Sequence, residues 1–341
     1  MNKISCFIFS LFLLSTLSCR QIEDGRARDY LGLLELPQGF EDPSFPEENL
    51  FTPERWALGK KLFFDPIMSR DQTVSCASCH KPELAFSDNS SVSFGVENRS
   101  GRRNAPSLAN VAYHPYYTRE GGVPTLEMQA LVPIQEHDEF DFNILLIQER
   151  LYEIPEYVSM AQEAYGKLPD YQVITRALAT FQRALLSGQS PYDEYINTQS
   201  TDALTPDQLR GMNLFFSDRL GCSNCHSGIH FTNYSLENNG LYEAYEDSGL
   251  YRLTNDSTDI GRFKVASLRN LSYTAPYMHD GSLSTLEEVI LHYEVGVQSH
   301  PNLSDQITPF SLTQEERSDL LRFLESLDDD NFVSNPIFQA D

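Results

Sequence analysis

Two five-residue stretches hold the most reactive grouping of side chains in this sequence. Cys76-Ala77-Ser78-Cys79-His80 and Cys222-Ser223-Asn224-Cys225-His226 both read C-x-x-C-H. Two thiols at this spacing can add to the vinyl groups of one haem while the adjacent imidazole becomes an axial ligand of its iron, so each stretch reads as a haem c attachment site. A zinc site made of paired C-x-x-C motifs would not place them as far apart as Cys79 and Cys222, nor demand His after both. A thioredoxin-like redox pair needs a motif on a βαβ pattern, which is missing here, and disulfides within each pair leave both His residues unexplained. Two covalently bound haems per chain are therefore expected.

The elements that must hold these motifs also occur twice. Thr52-Pro53 opens a segment with Gly59, Leu62, Phe63 and Phe64, and Thr205-Pro206 opens another with Gly211, Leu214, Phe215 and Phe216. A capping residue followed by Pro predicts a helix N-terminus in both places, and each segment leads into its C-x-x-C-H. Later in each half comes an amphipathic helix. One carries Ile174, Leu178, Phe181 and Leu185 and ends at Gly188; the other carries Leu320, Phe323, Leu324 and Leu327 behind a Thr313-x-x-Glu316 capping box. Strand patterns are scarce. The fold class is thus mostly α, with two c-type cytochrome domains over 19–200 and 201–341, each with one covalently bound haem, and a junction near Gln189 to Thr205. Residues 37–53 form a Pro-rich acidic lead-in.

A chain of 341 residues suits about two domains of roughly 150 residues each. Its formal charge of −24, from 49 acidic against 25 basic residues, excludes nucleic acid as a partner, because phosphates need a positive footprint. The acidic surface serves solubility, or steers a basic protein partner. At the N-terminus, Lys3, the apolar run Ile4 to Leu17 and Leu17-Ser18-Cys19 predict a signal peptide over 1–18. It resembles the bacterial lipoprotein type, with cleavage before Cys19 and lipid on its sulfur, although Thr16 stands where such signals usually carry Leu. The expected location is the periplasm or cell envelope, with membrane attachment through that lipid.

Three further stretches carry a family resemblance. They are Leu58-Gly59-Lys60-Lys61-Leu62-Phe63-Phe64-Asp65, then Arg103-Asn104-Ala105-Pro106-Ser107-Leu108, and finally Ser267-Leu268-Arg269-Asn270 with Thr274-Ala275-Pro276-Tyr277-Met278-His279-Asp280-Gly281. With both attachment motifs, the chain resembles the bacterial di-haem cytochrome c peroxidase family, including its MauG-like members, from about Leu50 to Asp330. The resemblance implies two cytochrome domains and the reduction of hydrogen peroxide. The first haem would be the peroxide-reactive one, and the second would relay electrons from a donor such as a small cytochrome c, a cupredoxin or a quinol. A homodimer is compatible with it.

In the family's peroxide pocket a Gln is followed by Pro four residues on and Glu ten residues on, matching Gln129, Pro133 and Glu139. Peroxide heterolysis needs a group that takes a proton from one oxygen and returns it to the other, which a carboxylate can do. Gln129 would orient the oxygens and Pro133 stiffen the loop. His137, two residues before Glu139, is a rival for the pocket base, and His114 and His137 are rivals for the sixth position of the first iron. Some members close the first haem with a His about sixteen residues after the motif; that position is Val96, and no His occurs between Lys81 and Tyr113, so this haem is expected to be open without pre-reduction.

At the second haem the family's distal ligand falls fourteen residues after His279, at Tyr293, with Met278 as a rival. Peroxidases that pass electrons carry Met at that position and MauG-like members Tyr. A phenolate favours ferric and higher iron states, whereas Met raises the potential. Leu286, Val289, Ile290 and Tyr293 share one helical face behind a Thr285-x-x-Glu288 capping box. One departure concerns the Trp that the family commonly holds between its haems, about ten residues before the pocket Gln. Arg119 stands there, and the sole tryptophan, Trp56, lies on an N-terminal helix, leaving Tyr116 and Tyr117 as substitutes for hole hopping. The family's calcium ligands match Asn104, Thr274 and Pro276, and oxygen-only ligation suits that ion. The expected activity is di-haem peroxidase. A MauG-like oxidase of a protein or small molecule and a non-catalytic di-haem electron carrier are the alternatives.

Overall fold

A computed structural model describes residues 32–340. The signal peptide expected over 1–18 and Cys19 lie outside the described residues. Helices dominate: α1 (Pro53–Phe64), α2 (Cys76–Cys79), α3 (Leu126–Gln129), α4 (Leu131–Gln135), α5 (Ile144–Tyr152), α6 (Pro155–Tyr165), α7 (Tyr171–Arg183), α8 (Pro191–Thr198), α9 (Pro206–Phe215), α10 (Tyr251–Thr254), α11 (Leu286–Leu291), α12 (Gln314–Glu325) and α13 (Asp330–Ser334). The sheet among the described residues is one antiparallel pair, β1 (Leu236–Glu237) with β2 (Phe263–Lys264). No helix among them is long and apolar enough to cross a membrane.

The caps read from sequence start the helices as anticipated. Thr52 accepts from the Arg55 N–H at 3.2 Å with Pro53 in the first turn, and Thr205 forms a reciprocal capping box with Gln208 ahead of α9. These helices pack against partners far along the chain, α1 on α7 and α9 on α12. Both crossings depend on a glycine. A Cβ at Gly59 would collide with the Ala177 carbonyl, and one at Gly211 with the Asp319 carbonyl. Around each crossing the same four phenyl rings assemble. Phe63 and Phe181 stand 5.1 Å apart, with Phe64 and Phe86 beside them; Phe215 and Phe323 stand 5.2 Å apart, with Phe216 and Phe231 beside them. Edge-on and tilted ring pairs of this kind add roughly 0.5–1.5 kcal/mol each beyond area burial.

The duplication extends beyond the helices. Ser107, Leu108, Asn110, Tyr117, Gly121, Thr125 and Leu126 have identical counterparts 160 positions on, at Ser267, Leu268, Asn270, Tyr277, Gly281, Thr285 and Leu286. Asn110 and Asn270 both adopt left-handed backbone, with φ of 60° and 64°. Each turns its amide onto the end of the closing helix of its own half: Asn110 N–H reaches the Leu185 carbonyl at 2.8 Å and Asn270 N–H the Leu327 carbonyl at 3.2 Å. The turns that follow are pinned by matching bridges, Tyr117 with Val123 and Tyr277 with Leu283. They lead into α3 and α11.

The segment read as a junction is more structured than expected. Ser190 and Asp193 form a capping box for α8, and Asp193 is buried against Arg269 in a two-pronged ion pair of 2.7 and 2.8 Å. Truncating either partner would strand a buried charge, at a cost of about 3–5 kcal/mol.

Candidate functional site

Each attachment motif is delivered by a short helical turn. Ser75 and Ser78 form a reciprocal capping box that starts α2, and Cys222–Asn224 form a single 3-10 turn after Gly221 in left-handed backbone. The four cysteines are free and half-buried, and burial pushes the thiols of Cys76 up to about 12 and Cys222 to about 11. The His residues are held alike. His80 Nδ1 lies 2.9 Å from the Phe86 carbonyl, and His226 Nδ1 lies 3.2 Å from the Phe231 carbonyl and 3.1 Å from that of Ala266. A carbonyl can only accept, so Nδ1 carries the proton and Nε2 keeps its lone pair. Burial also lowers both imidazoles below their usual range, which favours the neutral form that binds a metal. Phe86 and Phe231, in left-handed backbone at φ of 58° and 50°, turn those carbonyls inward. This arrangement fits proximal ligation of haem iron, with the second ring nitrogen fixing the tautomer.

Of the residues expected across the first motif, Glu139 acts on its cysteines, while Gln129 borders a cleft with Ser87 and His114. Gln129 ends α3, and its buried Oε1 has no hydrogen-bond partner, an orphan acceptor awaiting a donor. Pro133 lies on α4, and its carbonyl accepts the Phe140 N–H at 3.1 Å, which curls the chain so that Glu139 follows the helix closely. The Glu139 backbone rests on Gly95-Val96: Val96 N–H donates to the Glu139 carbonyl at 2.9 Å, and a Cβ on Gly95 would collide with the carbonyls of Asp138 and Glu139. Val96 is fully buried, a strut beneath Glu139. Glu139 is exposed at the surface, with enough protein close around its carboxyl to desolvate it in part. That enclosure first, then the charges of Glu136 and Asp138, raises its acid to about 7. Its own charge acts on both Cys76 and Cys79, which places it beside the motif.

His137 does not join this pocket. It is 70% exposed and faces Asp141 at 3.4 Å, with Arg99 alongside. His114 lines one cleft with Gln129, stacked on Tyr117 and 3.2 Å from Lys264 Nζ. Tyr116 donates its hydroxyl to the Tyr234 carbonyl, and Trp56 lies in the first core against Phe181.

Across the second motif, α11 is capped as read from Thr285 and Glu288 but stops at Leu291, and a π turn carries His292–Gly296. Tyr293 sits on this turn, one register from the α-helical face expected for it. Its hydroxyl nonetheless feels both Cys222 and Cys225 and bonds with Asn239, while burial raises it to about 12. Asn239 also donates to the Met278 sulfur at 3.3 Å, so one amide contacts both rival ligands. The direct line from the sequence to Tyr293 was its spacing; Asn239 gave no signal in isolation.

Between the two motifs runs a cleft of about 190 Å³, lined among others by Asn104, Arg119, Gln129, Lys264, Thr274 and Met278. Asn104, Thr274 and Pro276 all border it. Arg119 donates to both oxygens of Asn104, through Nη2 to Oδ1 at 2.9 Å and through Nη2 and Nε to the carbonyl at 2.8 and 3.1 Å. The calcium ligation expected at Asn104 does not fit this arrangement, because a guanidinium already holds the side-chain oxygen the ion would need there.

Comparison with known proteins agrees with this geometry. A profile of the di-haem cytochrome c peroxidase family matches residues 53–201. The methylamine utilization protein MauG of Methylorubrum extorquens is 40% identical over 286 residues, covering 83% of this chain and 80% of its own. The cytochrome c551 peroxidase of Pseudomonas aeruginosa is 31% identical over 280 residues, covering 79% and 77%. Among solved structures, that of a MauG-like protein associated with microbial copper homeostasis is 32% identical with a TM-score of 0.85, over 89% of this chain and 98% of the other. Two attachment turns with matched proximal imidazoles, in a mostly helical chain with relatives of both names, lead to one conclusion: the chain belongs to the di-haem cytochrome c peroxidase family, a family of oxidoreductases.

Proposed function

We propose that this protein is a peroxidase that reduces hydrogen peroxide to water with two electrons from an external donor, using one haem c at Cys76, Cys79 and His80 and another at Cys222, Cys225 and His226. When bound, the haems supply the redox iron. The observation that carries the reading is Glu139, a carboxyl held beside the first motif with its acid raised to about 7. At that value it takes a proton and gives it up again near neutral pH, which is what cleaving an O–O bond asks of a general acid-base group. It accepts a proton from one peroxide oxygen and returns it to the other as that oxygen leaves. With two protons from solvent and two electrons from the donor, the products are two waters. Gln129 Oε1, buried and unpartnered, accepts from the peroxide O–H and orients it, while Pro133 fixes the turn between them.

The two haems divide the chain into domains at 19–200 and 201–341. Export through the signal at 1–18, lipid on Cys19 and a periplasmic location belong to the same proposal, as does a small cytochrome c, cupredoxin or quinol as donor. A MauG-like oxidase is the second reading, favoured by one observation, a tyrosine beside the second motif. Against it stands Arg119 in place of an oxidisable indole. A non-catalytic carrier has no use for Glu139.

The test is steady-state peroxide turnover by the purified holoprotein and its Glu139→Gln variant. The substitution preserves size and removes the proton carrier, so turnover should fall by roughly 10² to 10⁴ with both haems retained. A rate within about threefold of the parent would assign the proton transfer elsewhere.

A further inference from the structure

We propose that Arg119 is a built-in replacement for a bound cation at the junction of the two halves, so that the cleft assembles and stays assembled without calcium or any other divalent ion. The guanidinium makes three hydrogen bonds to a single residue, Asn104, and one of them takes the side-chain Oδ1 that a cation there would need from it. Calcium sits about 2.3–2.6 Å from its oxygen ligands, so an ion and the Nη2 of Arg119 would compete for the same lone pairs at nearly the same point, both positively charged. The remainder of Asn104 is committed as well. Its Nδ2 donates to the Ser90 carbonyl at 3.1 Å and its N–H to the His279 carbonyl at 2.9 Å.

That last bond explains what the clamp does. Arg119 and His279 occupy equivalent places in the duplicated turns, one in each half. Arg119 fixes Asn104 from the first turn, and Asn104 fixes the second turn through His279. Thr274 and Pro276 border the same cleft and complete the junction.

Arg103 and Lys264 lie near enough to interact with Arg119. The closest acids are already engaged: Asp247 accepts from Arg103 at 2.5 and 2.9 Å, Glu120 pairs with Arg103, and Asp280 accepts from the Tyr242 hydroxyl at 2.6 Å. A guanidinium tethered to the chain cannot be stripped by a chelator.

The experiment is metal analysis and thermal unfolding of the holoprotein, in EGTA and in millimolar calcium chloride, for the parent chain and for Arg119→Ala. The parent should carry no stoichiometric calcium and should melt within about 1 °C in the two buffers, since a ligand that does not bind the native state cannot shift its unfolding. Arg119→Ala frees the Asn104 oxygens; it should melt lower in EGTA and recover part of the loss in calcium. One calcium per chain in the parent, or a parent that melts several degrees lower in EGTA, would overturn the proposal. So would an Arg119→Ala protein that melts like the parent and ignores calcium. Should Arg119→Ala fail to fold, the parent's metal content and EGTA melt decide alone, and Arg119→Lys, which keeps the charge, should fold and remain indifferent to calcium.

Discussion

Raising the pH from 5 to 8 carries Glu139 from a carboxylic acid to a carboxylate, and turnover should follow it. With its acid at about 7, raised first by burial and then by Glu136 and Asp138, only about 1% of molecules hold the ionised base at pH 5, about half at pH 7 and roughly 90% at pH 8. The peroxide proton must be taken before it can be returned, so the step needs the ionised form, and the rate should fall roughly tenfold for each pH unit below 6. The sign is fixed by the direction of the shift: an ordinary glutamate, near 4.3, would leave the rate almost flat over this range. A second arm tests the cause. Replacing Glu136 by Gln and Asp138 by Asn removes two repelling charges while leaving the enclosure, so the midpoint should move down without reaching the ordinary range. The assay is peroxide consumption at saturating donor, with haem content checked at each pH. A rate independent of pH from 5 to 8, or a midpoint unmoved by the double change, would refute the reasoning.

Gly211→Ala places a Cβ against the Asp319 carbonyl and 2.8 Å from the Phe323 Cβ, so α9 and α12 must part; stability should drop by about 1–3 kcal/mol in denaturant titration, and an unchanged midpoint would mean the crossing tolerates the methyl. Tyr293→Met should raise the reduction potential of one haem in a redox titration, whereas an unmoved potential would make Tyr293 a packing residue and leave Met278 as the ligand. Replacing Cys222 and Cys225 by Ala should remove one of two haems that otherwise survive denaturation, because thioether bonds outlast the fold; loss of both or neither would separate the motifs from the cofactor.

Much of this molecule is written locally. The caps at Thr52, Thr205, Thr285 and Thr313 are visible in sequence because a hydroxyl reaches its own N–H groups within a few residues, and the helices start where they should. Glu139 is legible through spacing, and its charge acts on Cys76 and Cys79. What escaped is non-local. Nothing around residue 193 announces that Asp193 meets Arg269 across 76 positions, and so the stretch read as a junction contains a helix locked by a buried ion pair. Arg119 reads as a missing indole until Asn104 is seen beneath it. The π turn under Tyr293 breaks the regular helical count that a periodicity argument assumes. One signal could have been found earlier: the constant 160-residue offset from Ser107 to Leu126, whose identities are too sparse to stand out but whose spacing is unbroken.

Peroxide reduction at the first motif is the central claim, and stopped-flow mixing of the purified two-haem protein with hydrogen peroxide tests it most directly. The account predicts a fast absorbance change whose rate rises with peroxide concentration, without prior reduction, because Val96 is buried as a strut and no His between Lys81 and Tyr113 can close the site. A spectrum that stays six-coordinate and inert at every peroxide concentration would contradict it and leave the chain a carrier of electrons.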